Sequence, residues 1–221
     1  MTLVEHIRKS SSKNGVKALK GNVEIFIDDP LPDEVDINKF TEAVEKALPS
    51  HFFKHINNIR IGNYDFLLKN NLNSYYKNGN IYILSAETSL SHLLYDLFHE
   101  IAHSLEKPYH DLIYGDGALE KEFLNKRESF ERFVNIYFPE TQKYSFKNAE
   151  YNKEFDELLY KRIGYDRLRG FTDALFVSPY AATSLREYFA TGMENYIEGN
   201  RENLDRLCPI LYNKIKSLFS E

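Results

Sequence analysis

The stretch that most constrains this chain runs from Leu90 to Leu105, where Leu90, Leu94, Leu97, Ile101 and Leu105 recur at steps of four, three, four and four. That is the period of a helix with one apolar face, and it fixes where the remaining side chains of the segment point. On such a helix His99 and His103 stand one turn apart on a single face, so both imidazoles can reach one metal ion. Glu100, about a quarter-turn round, can reach a water on that metal. His99, Glu100 and His103 thus form an H-E-x-x-H motif: two neutral nitrogen ligands, a carboxylate base and a position left open for water. The apolar neighbours bury the helix and keep such a site dry and rigid. Thr88 or Ser89 is its expected N-cap, with no capping-box acid at His92.

A chain of 221 residues makes one domain or two closely packed lobes with a full hydrophobic core. Lys and Arg number 28 against 33 Asp and Glu, a net charge of -5 with no basic block, which argues against a nucleic-acid partner. The single cysteine, Cys208, excludes an intrachain disulfide and argues against a cysteine-based metal site. The first ten residues lack the apolar core of a signal peptide, and no run approaches the ~18 apolar residues of a membrane span. The expected location is cytoplasmic, or outside after release without a signal peptide, with no membrane partner. Sixteen Tyr and sixteen Phe point to an aromatic-rich core and cleft.

Residues 1–21 are polar and read as a helical turn or a loose arm. Val23–Ile27 alternates and is rich in β-branched and aromatic residues, a strand ended by the Asp28–Asp33 turn cluster. Phe40, Val44 and Leu48 mark an amphipathic helix from near Asp36 to Pro49, and Asn58–Gly62 is a second strand. Asn73–Leu84 reads as a hairpin about a type I′ turn at Asn78-Gly79. It is either a strand able to pair with an extended peptide beside the metal or an ordinary structural hairpin. Past the motif come a loop over 108–117 and helices over 118–137 and 150–163. A partly helical loop follows over 164–179, then a helix Leu185–Ile197 and a last one from Cys208 with Pro209 in its first turn. Strands before the motif and helices after it give an α+β fold.

Catalytic zinc usually takes three protein ligands. His110 fails the metzincin spacing, which wants His and Gly where this chain has Tyr109 and Glu106. Glu187 lies on a helix whose Leu185, Tyr188, Phe189 and Met193 can pack against the motif helix. Spacing leaves it open as a third ligand or as an ordinary solvated glutamate.

His99-Glu-Ile-Ala-His103, followed by Pro179-Tyr180 and Glu187-Tyr-Phe-Ala190, resembles the anthrax lethal factor-like peptidase domain. This gluzincin group includes the clostridial Pro-Pro endopeptidases. The likeness covers roughly residues 55–221 and takes in Pro209-Ile-Leu-Tyr212 near the end. It implies a zincin-like fold: a small mixed N-terminal sheet with a hairpin, the motif helix and a mainly helical C-terminal lobe. The whole of 1–221 would be one metallopeptidase domain, with lobes at about 22–107 and 108–221. By the same likeness His99, His103 and Glu187 would bind zinc, Glu100 would be the base, and Tyr180 would stabilise the oxyanion of a peptide or protein substrate. The chain departs from the pattern in two respects: the relatives usually carry a secretion signal, which its first ten residues do not resemble, and the other departure concerns a supporting acid. Many gluzincins carry an acid four residues after the ligand glutamate, steadying a ligand histidine; here that residue is Thr191, with Glu194 as a partial substitute. The alternatives are a catalytically silent zinc-binding structural or interaction module, a toxin-like protease for one host protein, and a helical scaffold without metal.

Overall fold

The computed structural model describes residues 16–85 and 89–221. Most of the arm expected over 1–21 lies outside them, as does Thr88, one of the two expected caps. Among the described residues the chain is α+β and divides into two compact units, one ending at Pro108 and the other running from Tyr109 to Glu221.

The first unit is organised on five strands: β1 (Val16–Leu19), β2 (Val23–Ile27), β3 (Asn58–Gly62), β4 (Ser74–Lys77) and β5 (Asn80–Leu84), in the order β1-β2-β3-β5-β4. The central three are parallel, and β1 and β4 pair antiparallel at the edges. Ile25, Ile59, Ile61, Ile81 and Ile83 are wholly buried on one face, while the alternate residues Phe26, Arg60 and Tyr82 stay half-exposed. Asn78 and Gly79, with φ of 52° and 83°, close the β4–β5 hairpin with the two positive φ values a type I′ turn requires.

Helix α1 (Ile37–Ala47) is capped by Asp36, whose carboxylate accepts from the Asn38 N–H at 2.8 Å, and it buries Phe40 and Val44. A short α2 (Asp65–Asn70) precedes β4. The motif helix, α3 (Leu90–Glu106), is capped by Ser89 and packs against β4, β5 and α1. Cover from both the sheet and α1 makes its buried side broader than the stripe read from sequence. Leu93, Leu97, Phe98, Ile101, Ala102 and Leu105 are buried, and Leu90 and Leu94 only half so.

The second unit is helical: α4 (His110–Ile113), α5 (Ala118–Tyr137), α6 (Lys153–Glu157), α7 (Tyr165–Thr172), α8 (Leu185–Ile197), α9 (Arg201–Leu207) and α10 (Pro209–Leu218). A wider turn of π type, Leu158–Ile163, continues α6. Three expectations need correction. Residues 16–19 are a strand held by pairing with β2, the loop over 108–117 contains α4, and the helix expected from 150 begins at Lys153, where Asn152 caps it. Helix α9 was not expected at all. No helix among the described residues is long and apolar enough to cross a membrane.

Charged side chains of α5 fasten the second unit by binding backbone. Glu122 accepts from the N–H groups of Ile210 and Leu211 at 2.9 and 3.1 Å, placing a carboxylate at the start of α10 where the helix dipole favours it. Lys126 donates to the Leu175 carbonyl and to that of Leu207, the last residue of α9. Arg127, 1 % exposed, donates to the carbonyls of Thr183 and Ser145 and lies 4.2 Å from the Phe155 ring centre. Burial pulls its guanidinium down to about 10.

Helices α8 and α10 meet at Gly192, where an added Cβ would overlap the buried Leu211 side chain. Gly192→Ala gains about 1 kcal/mol of helix propensity, but overpacking a closed core costs roughly 1–3 kcal/mol. The expected net effect is a loss near 1 kcal/mol, read as a lower thermal midpoint by roughly 2–4 °C. A midpoint equal to or above wild type would show that this contact yields freely.

Candidate metal centre

The buried face of α3 leaves His99 and His103 half-buried on one side of the helix. Their rings meet edge to face at 4.8 Å, and the two Nε2 atoms stand 3.1 Å apart. The other nitrogen of His103, Nδ1, lies 2.5 Å from a carboxylate oxygen of Glu106. Glu100 is 5 % exposed, and its Oε1 accepts a hydrogen bond of 2.7 Å from the Ser74 hydroxyl on β4. The putting of a carboxylate in so dry a place is tolerable because a donor meets it there.

In the second unit Ser184 caps α8 by accepting from the Glu187 N–H at 3.3 Å, which sets Glu187 in the first turn of that helix. Tyr180 sits just upstream in a tight turn, Tyr180–Ala182, closed by a Thr183 N–H bond to the Tyr180 carbonyl. Burial pushes the Tyr180 phenol well above its ordinary range, and the neighbouring Glu187 and Asp156 carboxylates push it further. Asp156 itself is raised, chiefly by burial, although it accepts from the Tyr151 and Tyr165 hydroxyls at 3.1 Å each.

His99, His103 and Glu187 form a group that could hold a metal ion, each offering one ligand atom, with these atoms all within 4.8 Å of one another. Two nitrogens bound tetrahedrally at zinc distances lie roughly 3.3 Å apart, so the 3.1 Å between the two Nε2 atoms fits a shared ion. Two imidazoles and a carboxylate are also a donor set suited to a first-row divalent metal.

His110 is not part of this group; it is exposed and 3.5 Å from Asp111, and His92 is exposed as well. Thr191 donates its hydroxyl to the Glu187 carbonyl at 2.7 Å. Glu194 is completely buried, and burial together with its charge raises the carboxyl of Glu198. Two contacts were missed in the sequence. Glu106 carries a signal, the three-residue spacing from His103 that puts both on one helix face. Ser74 carries none, since its partner lies 26 residues away.

Comparison with known proteins gave no matching family model, and neither a curated protein nor a solved structure matched the chain.

The gathered ligands imply that His99→Ala and His103→Ala each abolish stoichiometric metal uptake, and that Glu187→Gln weakens it. Elemental analysis of purified protein after dialysis against a weak chelator measures this. Full metal content in His103→Ala would exclude the site.

Proposed function

We propose that the chain is a zinc-dependent endopeptidase of the gluzincin type, like the lethal factor-like peptidases it resembles in its motifs. One observation carries the reading: three ligand atoms of the kinds zinc prefers gathered within 4.8 Å, with the buried carboxylate of Glu100 next to the first of them in sequence. A zinc ion held by His99, His103 and Glu187 would supply Lewis acidity and lower the pKa of a water in the open position.

The chain's own groups do the rest. Glu100 accepts the proton as water attacks the peptide carbonyl and passes it to the departing amine. The Ser74 hydroxyl holds one oxygen of that carboxylate, leaving the other for the proton. Tyr180 is kept neutral by its surroundings and so keeps its O–H for donation to the developing oxyanion. β4 ends the strand order and carries Ser74, so an extended peptide adding to its outer edge would lie beside the base.

Glu100→Gln should retain zinc and lose hydrolysis of a peptide library by about 100-fold or more. Tyr180→Phe should retain zinc and lower kcat by roughly 100- to 1,000-fold. Wild-type rates in Glu100→Gln would remove the general base. Zinc bound at full occupancy with no turnover on broad libraries would instead favour a catalytically silent binding module.

A further inference from the structure

We propose that Glu106 is the positioning residue of the metal centre: it fixes the proton of His103 on Nδ1 and so presents Nε2 as the ligand atom. This rests on the metal-site reading above but concerns a residue outside the ligand set. An ionised carboxylate only accepts hydrogen bonds, and a neutral imidazole carries one N–H. With Nδ1 and Glu106 Oε1 2.5 Å apart, the ring hydrogen belongs on Nδ1, and the lone pair falls on Nε2. Nε2 is the atom that faces His99 Nε2 at 3.1 Å. The two side chains are only 9 % and 12 % exposed, so solvent competes little for the contact.

Helix geometry makes the arrangement rigid. Residues three apart share a face, so Glu106 reaches His103 from the last turn of the same helix. Thr191, which occupies the position of the usual acid on α8, is committed to the Glu187 carbonyl and serves that helix instead.

The test uses the full chain and zinc alone, with affinity measured by competition against a chromophoric chelator. Cobalt(II) substitution provides a spectrum of the coordination geometry, and the melting of the metal-free protein reports folding. Glu106→Ala should bind zinc 10- to 100-fold more weakly, change the cobalt spectrum, and still melt cooperatively. Glu106→Gln keeps an acceptor oxygen at similar reach and should restore most of the affinity and the wild-type spectrum. A merely structural role would not produce that rescue. Equal zinc affinity and equal spectra in wild type and Glu106→Ala would overturn the inference, as would a Gln variant no better than Ala. A wild-type protein that takes up no zinc would overturn the metal reading itself, a result distinct from either.

Discussion

Two imidazole nitrogens 3.1 Å apart, projecting from one turn of a buried helix, set the terms for the first unit. Facing lone pairs repel, so the gap between them calls for a proton or a cation. The helix bearing the two side chains is fixed by Leu93, Leu97, Ile101 and Leu105, each wholly buried. Fully burying an aliphatic side chain of this kind is worth about 1.5–3 kcal/mol, and turning the helix to relieve the histidines would expose several at once. Packing thus holds His99 and His103 one helical turn apart on a common face, where their ring nitrogens can share a proton or a cation. Glu100 is drawn into the same bargain, since it follows His99 directly and lands on the buried side, where Ser74 receives it.

The second unit solves a different problem, that of holding short helices at defined angles. Its rings form a connected cluster through Phe123, Phe130, Phe146, Phe155, Phe176 and Tyr188. Aromatic contact supplies much burial but little directional control. Direction comes from α5, where Glu122, Lys126 and Arg127 each bind backbone groups of distant segments. The acid meets helix N–H groups and the lysine meets a helix C-terminal carbonyl, so each charge opposes the dipole it touches. Arg127 reaches the Thr183 carbonyl, one residue before the Ser184 cap of α8. The start of the helix that carries Glu187 is therefore fixed by its cap and by a buried guanidinium together.

Much of this was legible in the sequence where a segment was long enough to show its period. β2, β3, α5 and α8 begin and end where alternation, caps and glycine place them, and the Asn78-Gly79 turn needed no tertiary information. What escaped was short or non-local. β1 spans four residues, two of them Lys and Ala with no preference for strands, and only its pairing with β2 makes it one. α4 and α9 are too brief to reveal a repeat. The parallel alignment of β2, β3 and β5 links residues more than twenty positions apart and has no local signature. Among the site residues, the two histidines and Glu100 follow from one helix. Glu187 was one option from the apolar neighbours on its helix, and resemblance to a family singled it out, since a glutamate on a helix carries little mark of its partners.

Under the proposed function, the surroundings of Tyr180 would suit a tyrosine better than a stronger acid. A donor toward a developing negative charge must keep its hydrogen until the charge appears, and a group already ionised would repel it. Burial disfavours the phenolate, and the carboxylates of Glu187 and Asp156 disfavour it again, so all three push the same way. Tyr165 is raised for the same reasons, burial first and Asp156 next, and its ring lies 6.2 Å from that of Tyr180. A cation held by Glu187 would offset part of the negative field and bring the Tyr180 hydroxyl closer to the acidity at which donation is strongest. Under the proposed function, the acids of this cluster and an ion held by Glu187 would therefore act in opposition on one hydroxyl.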